Sequence, residues 1–84
     1  MKKIFKFDLT ITDEQIVYMP IGAKILCVQE QNYIPRIWAI VDVPAANETR
    51  TFRIYGTGNP LPEDIGIYIG TFQTTRFVWH VFEL

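Results

Sequence analysis

The sequence predicts an all-β fold, either a small, mostly antiparallel barrel or a two-sheet sandwich of about seven strands. Most segments alternate apolar and polar residues with a period of two, which is typical of strands that bury one face. No segment keeps the spacing of an amphipathic helix over several turns. Most of the short gaps between these segments contain proline, glycine, asparagine or aspartate, which favour turns.

Four strands are predicted in the first half of the chain. Residues 5–12 form the first, because apolar residues alternate there with lysine, aspartate and threonine. Residues 15–19 form a short second strand, which ends at a proline that cannot donate a backbone hydrogen bond. The third strand covers residues 24–31. Residues 36–43 form the fourth, which is apolar on both faces, so we expect a central strand that is covered on both sides.

Three further strands are predicted in the second half, at residues 50–55, 65–72 and 76–83. A loop at residues 44–48 precedes them. The loop at residues 56–64 is the richest in turn-forming residues, since it holds two glycines and two prolines. The glycines of the sixth strand are expected to mark bulges or places where another backbone comes close.

Composition indicates one folded domain that spans residues 1–84. The chain is 49% hydrophobic and only 20% charged, which excludes intrinsic disorder. A domain of this size buries only about 60% of the surface that its unfolded chain exposes. The apolar surplus is therefore predicted to lie in a ligand pocket or in the interface of a homo-oligomer.

Charge and residue counts exclude several functions. A net charge of −1 gives no field that would attract a nucleic acid polymer or an anionic membrane. The chain has no serine and only one cysteine (Cys27) and one histidine (His80), both within apolar segments. We therefore expect no catalytic triad, no metal site, no cofactor and no enzymatic activity. We also expect no signal peptide and no membrane-spanning segment, and a single free thiol suits a reducing cytoplasm.

The candidate ligand site lies where the fifth strand meets the glycine-rich loop. An arginine that grips phosphate and an aromatic ring that stacks on a base would together suit a nucleotide. The loop lacks the third glycine and the helix of a dinucleotide-binding motif or P-loop. An ordinary turn beside a solvated strand face remains the alternative. The candidate residues are Arg53, Tyr55, Gly56, Thr57, Gly58 and Asn59.

Two tryptophans are added to the candidate site. Trp38 and Trp79 could stack on a ligand, and the alternative is that they anchor the core or an interface. His80 is expected to be half-buried with its hydrogen bonds satisfied, instead of acting as a general base.

Five segments spread over nearly the whole chain form a recognisable pattern. They include Gly-Ala-Lys-Ile-Leu, Ile-Trp-Ala-Ile-Val-Asp, Gly-Thr-Gly, Tyr-Ile-Gly-Thr-Phe and Phe-Val-Trp-His-Val-Phe-Glu. In this order they resemble a family of small proteins encoded by bacteriophages and prophages, for which no activity is established. The family has a histidine after Gly-Thr-Gly, whereas this chain has Asn59.

The resemblance implies an accessory factor that acts in the cytoplasm of an infected bacterium. Small phage proteins of this kind include oligomeric sponges that hold a nucleotide second messenger of host immunity. By analogy, we expect a non-enzymatic homo-oligomer that sequesters a cyclic nucleotide-like ligand. Two alternatives remain open: a module that inhibits a host protein directly through an aromatic patch, and a minor structural component of the virion.

Overall fold

A computed structural model describes residues 1–84 and confirms the all-β prediction. The chain forms two antiparallel sheets that pack face to face as a sandwich, without closing into a barrel. The structure contains no helix long and apolar enough to cross a membrane. The strands are β1 (Lys2–Asp8), β2 (Glu14–Pro20), β3 (Lys24–Gln31), β4 (Ile34–Asp42), β5 (Asn47–Gly56), β6 (Ile67–Gln73) and β7 (Val78–Glu83).

The two sheets differ in size and in strand order. The three-stranded sheet has the order β1-β4-β3, and the four-stranded sheet has the order β2-β5-β7-β6. All neighbouring strands are antiparallel. The chain changes sheet between β1 and β2, between β2 and β3, and between β4 and β5, so both sheets depend on contacts between distant segments.

The core lies between the sheets and contains no polar or charged residue. Each strand contributes the apolar residues of one face, as the period of two predicts. Eleven hydrophobic residues are buried there: Leu9, Met19, Ala23, Val28, Ile37, Ala39, Val41, Phe52, Ile54, Phe72 and Val81. Many other large apolar side chains stay on the surface, and Ile67 is 70% exposed.

The first strand differs from its prediction, because β1 ends at Asp8 instead of Thr12. Leu9 leaves the strand to enter the core. Thr10 is then held in a bend by the side chain of Gln15, which donates to its carbonyl at 2.6 Å and accepts from its N–H at 3.0 Å. The alternation of residues 5–12 thus belongs partly to a strand and partly to a bend.

The prediction for the fourth strand is half wrong. β4 is central in its sheet, but only one of its faces is covered. Ile37, Ala39 and Val41 are buried, whereas Trp38 and Ile40 on the opposite face are partly exposed. The second sheet covers a single face, and the chain has no helix or third layer for the other.

The two glycines near β6 hold the positions predicted for them. The pairing of β6 with β7 shifts register between Tyr68 and Gly70, which is a β-bulge. A Cβ on Gly70 would lie 2.6 Å from the Val28 Cγ1 of the other sheet, so this glycine allows a close approach. Gly66 has φ of +81°, and a Cβ there would overlap the Glu83 carbonyl. β6 therefore starts at Ile67, two residues later than predicted.

Candidate functional site

The outer face of the four-stranded sheet carries a cluster of three aromatic rings. Phe52, Ile54 and Val81 point into the core, so their neighbours along β5 and β7 point outward. The Tyr55 and Phe82 ring centroids are 5.8 Å apart, and those of Tyr68 and Phe82 are 5.5 Å apart, both in edge-to-face geometry. Three neighbouring strands thus each supply one ring.

His80 lies beside this cluster and is held on both sides by threonine hydroxyls. Its Nε2 is 2.7 Å from the Thr57 Oγ1, and its Nδ1 is 3.0 Å from the Thr71 Oγ1. The Tyr68 hydroxyl continues the chain at 2.6 Å from the Thr71 Oγ1. The ring is half-buried with both nitrogens in hydrogen-bond contact, as the sequence analysis expects, and its orientation is fixed from both ends.

The loop after β5 turns this flat face into a concave one. We call the space beneath it the loop hollow, with a volume of about 240 Å³. Aromatic rings form its floor, and its rim supplies hydroxyl, amide and imidazole groups. It is lined by Tyr55, Gly56, Thr57, Gly58, Asn59, Leu61, His80 and Phe82.

The backbone of the loop forms a turn and leaves few amides for a ligand. The Asn59 N–H donates to the Gly56 carbonyl at 3.1 Å, and Gly58 adopts φ of +90°, which favours glycine. The Thr57 N–H donates to the Val78 carbonyl at 3.0 Å. With these two amides engaged, the loop offers fewer backbone N–H groups to a phosphate.

Arg53 points away from the loop hollow. Its Nε donates to the Glu14 carboxylate at 2.9 Å, and its Nη1 donates to the Asp64 carbonyl at 3.3 Å. The hydrogen bond to Glu14 raises the pKa of Arg53, with a smaller contribution from Tyr55. Arg53 lines a separate hollow that also contains Asp13 and Glu14, and these carboxylates repel an anion. Arg53, which the sequence predicts to bind phosphate, is thus already engaged in an ion pair with Glu14.

The two tryptophans occupy different parts of the molecule. Trp79 packs against the core and lines a third hollow behind the same loop, together with Thr57 and Asn59. Its indole N–H donates to the Thr74 Oγ1 at 3.2 Å. Trp38 lies on the outer face of the other sheet, where the Lys6 Nζ is 5.8 Å from its ring centroid. The structure therefore gathers five of the eight candidates at the loop hollow: Tyr55, Gly56, Thr57, Gly58 and Asn59. Arg53 and Trp79 line neighbouring hollows, and Trp38 lies on the other sheet.

Comparison with known proteins identifies the family of the chain. Residues 1–84 match the family described as a domain of unknown function, DUF7352. The chain belongs to this family. No curated protein and no solved structure matches this chain. The description of DUF7352 names no activity, so a function is inferred from the residues of the site.

In this DUF7352 chain the loop hollow also contains three residues that are not among the predicted site residues: His80, Phe82 and Leu61. Phe82 and His80 are adjacent to Tyr55 and Arg53 because β7 pairs with β5. Alternation along β7 already put Phe82 and His80 on one face, but no pattern in the sequence identifies the neighbouring strand. Leu61 closes the hollow from the loop. The structure holds no group of three or more histidine, cysteine, aspartate or glutamate side chains that could bind a metal.

Proposed function

We propose that this chain is a non-enzymatic binding module whose loop hollow holds the base of a small, nucleotide-like ligand. The observation that carries the proposal is the convergence of aromatic rings with hydroxyl, amide and imidazole groups in one concave site. Planar rings suit a base because every base has a π-face, and the polar rim matches its hydrogen-bonding edge. Tyr55 and Phe82 would contact the base, and the Asn59 side chain would bind its edge. Thr57 and His80, which are hydrogen-bonded to each other, would hold the rim in place.

The geometry supports recognition of a base more strongly than recognition of a phosphate. A volume of about 240 Å³ in an open hollow suits one base or nucleoside. Arg53 is bonded to Glu14 outside the hollow, and the loop amides of Thr57 and Asn59 are engaged within the chain. Phosphate groups of the ligand would therefore project towards solvent.

The biological role that we propose is sequestration of a host signalling nucleotide. The resemblance to phage-encoded proteins and the absence of a catalytic triad favour a factor that acts by binding in the cytoplasm of an infected bacterium. Holding an immune messenger in a small protein would lower its free concentration and counter host defence. Two copies in a homo-oligomer would present two such hollows.

Isothermal titration calorimetry tests the proposal with nucleosides, mononucleotides, cyclic dinucleotides and cyclic ADP-ribose isomers. We expect heat of binding for at least one of these classes. Asn59→Ala removes one amide at the rim and is expected to weaken binding about 5- to 10-fold, since a hydrogen bond contributes about 1 kcal/mol. The matched control is Asn47→Ala, because Asn47 is an exposed asparagine outside the hollow.

The expected pattern is unchanged affinity in the control and weakened affinity at Asn59. No heat with any of these compounds, for correctly folded protein, would overturn the proposal. Equal weakening in both variants would remove the loop hollow as the site.

A second candidate function, direct inhibition of a host protein, is favoured by the outer face of the three-stranded sheet. Trp38 lies there beside the exposed Ile4 and Leu26, which are 62% and 45% exposed. The Trp38 indole N–H is buried and has no hydrogen-bond acceptor within the chain. A pull-down from host lysate distinguishes the two functions: a stoichiometric protein lost in Trp38→Ala favours inhibition, whereas a nucleotide released on denaturation favours sequestration. Recovery of the chain from purified particles would indicate the virion component instead.

A further inference from the structure

The edge strand β2 has backbone groups with no partner in the chain. At its two ends, the Ile54 N–H donates to the Asp13 carbonyl and the Ile21 N–H donates to the Ala46 carbonyl. In an antiparallel pair, hydrogen-bonded residues alternate, so the odd-numbered residues of β2 bond to β5. The N–H and C=O groups of Ile16 and Tyr18 therefore point away from the sheet.

The side chains along this free edge are apolar and exposed. Ile16 is 60% exposed and Tyr18 is 66% exposed, and both lie on the outer face of the sheet. The only charged residue of the strand is Glu14, at its start, and that carboxylate is bonded to Arg53. Nothing along the middle of β2 opposes the approach of another strand.

The other sheet edges carry features that hinder pairing. β1 carries Lys2, Lys3 and Lys6, and lysines on an edge repel a like strand. β3 is bulged between Ile25 and Cys27. β6 is bulged between Tyr68 and Gly70 and is preceded by Gly66. Such bulges and charges are the usual means of protecting an edge. β2 has no bulge, and its one charge, on Glu14, lies at the start of the strand and is paired with Arg53.

We propose that β2 pairs antiparallel with β2 of a second copy, so that the two four-stranded sheets become one continuous sheet. A second copy fits because antiparallel pairing around a two-fold axis presents the same residues from both sides. This interface is the surface through which the homo-oligomer predicted from the sequence would form, and it does not depend on the ligand.

The free backbone groups also select a register. Centring the two-fold axis on Ile16 places Ile16 opposite its own copy and Glu14 opposite Tyr18, which uses every outward-pointing amide of the strand. Centring it on Val17 instead would place Glu14 opposite Pro20, which has no N–H to donate. The Ile16-centred register extends the exposed apolar surface of Ile16 and Tyr18 across both copies.

Sedimentation velocity over a concentration series tests the pairing on the full chain. Pairing along one edge buries less than the roughly 800 Å² per partner of a standard interface, so we expect a dimer with a dissociation constant of about micromolar. Ile16→Lys places two like charges opposite each other and is expected to abolish the dimer. Ile4→Lys is the matched control, because Ile4 is equally exposed on an edge strand of the other sheet.

A cross-link tests the register in a Cys27→Ala background. Hydrogen-bonded residues of an antiparallel pair have Cα atoms about 5.5 Å apart, within the range of a disulfide. Ile16→Cys is therefore expected to form a disulfide-linked dimer under mild oxidation, whereas Ile4→Cys is not. A monomer at every concentration would overturn the proposal, as would a dimer that survives Ile16→Lys, whatever the behaviour of Ile4→Lys.

Discussion

The outer faces of the two sheets present aromatic residues in very different settings. On the three-stranded sheet, partners directly opposite each other form a flat ladder: Lys2 with Asp42, Lys6 with Trp38, and Arg36 with Asp8. On the four-stranded sheet, the loop after β5 rises above an aromatic floor and encloses the loop hollow. Both faces follow the same alternation and both sheets contain a bulge, so the concave site depends on the loop after β5.

The largest expected effect on stability concerns Gly66, whose missing side chain lets the chain before β6 approach the Glu83 carbonyl of β7. Gly66→Ala combines a strained positive φ with overlap of the Glu83 carbonyl, so we expect a loss of about 3 kcal/mol in the free energy of unfolding. Urea denaturation measures it. Gly22→Ala is the control: Gly22 has φ of +77° but open space around its Cβ position, so about 1 kcal/mol is expected.

Equal losses in these two variants would show that backbone strain alone matters, and that contact with β7 does not. A loss near zero in Gly66→Ala would contradict the pairing of β6 and β7 near this residue.

A smaller effect on the free energy of unfolding is expected when an ion pair is removed, and we expect it to differ between the two sheets. Arg50 donates to Glu83 at 2.8 Å through its Nη2 and to the Ala23 carbonyl through its Nη1, so from a half-buried position it links β5 and β7 to the turn before β3. The hydrogen bond to Glu83 raises the pKa of Arg50. Arg50→Met leaves the Glu83 carboxylate poorly solvated, and we expect a loss of about 2 kcal/mol in unfolding free energy.

The matched pair on the flat face is Arg36 with Asp8, whose N···O distance is 3.1 Å and whose carboxylate side chain is 62% exposed. Asp8→Asn is expected to cost at most about 0.5 kcal/mol, because the Asp8 carboxylate is solvated and an asparagine oxygen can still accept a hydrogen bond from Arg36, whose side chain is 13% exposed. Chemical denaturation at neutral pH measures both variants. If Asp8→Asn lowered the free energy of unfolding as much as Arg50→Met does, the different exposure of the Asp8 and Glu83 carboxylates would not explain their contributions to stability.

The smallest effect is a pH dependence at the end of the flat face. Asp42 accepts a hydrogen bond from the N-terminal ammonium, which lowers the pKa of its carboxyl below the ordinary value of 3.8, with a further contribution from Lys2. A lowered folded-state pKa gives stability that is present above pH 3.8 and is lost as the pH falls through the folded pKa. Thermal melts below this pH should show a slight loss in the native chain and none from this source in Asp42→Asn.

The sequence predicted the strands well because alternation is a local property. The order of strands in a sheet depends on contacts between distant segments, so local alternation does not predict it. His80 and Phe82 belong to the site only because β7 lies beside β5, and the sequence therefore does not identify them as site residues. The partnership of Arg53 with Glu14 likewise follows from the register of β2 on β5. Trp38 and Trp79 both occur in apolar strands, and nothing in either strand tells which one lies near the loop.

Nuclear magnetic resonance tests the central claim most directly, because it reports on both outer faces in one experiment. The labelled chain is titrated with the tightest-binding nucleotide found by calorimetry. We expect amide shifts at Thr57, Asn59 and His80 around the loop hollow, with none at Trp38 and Ile40 on the flat face. Shifts confined to Trp38 and Ile40 would contradict the account.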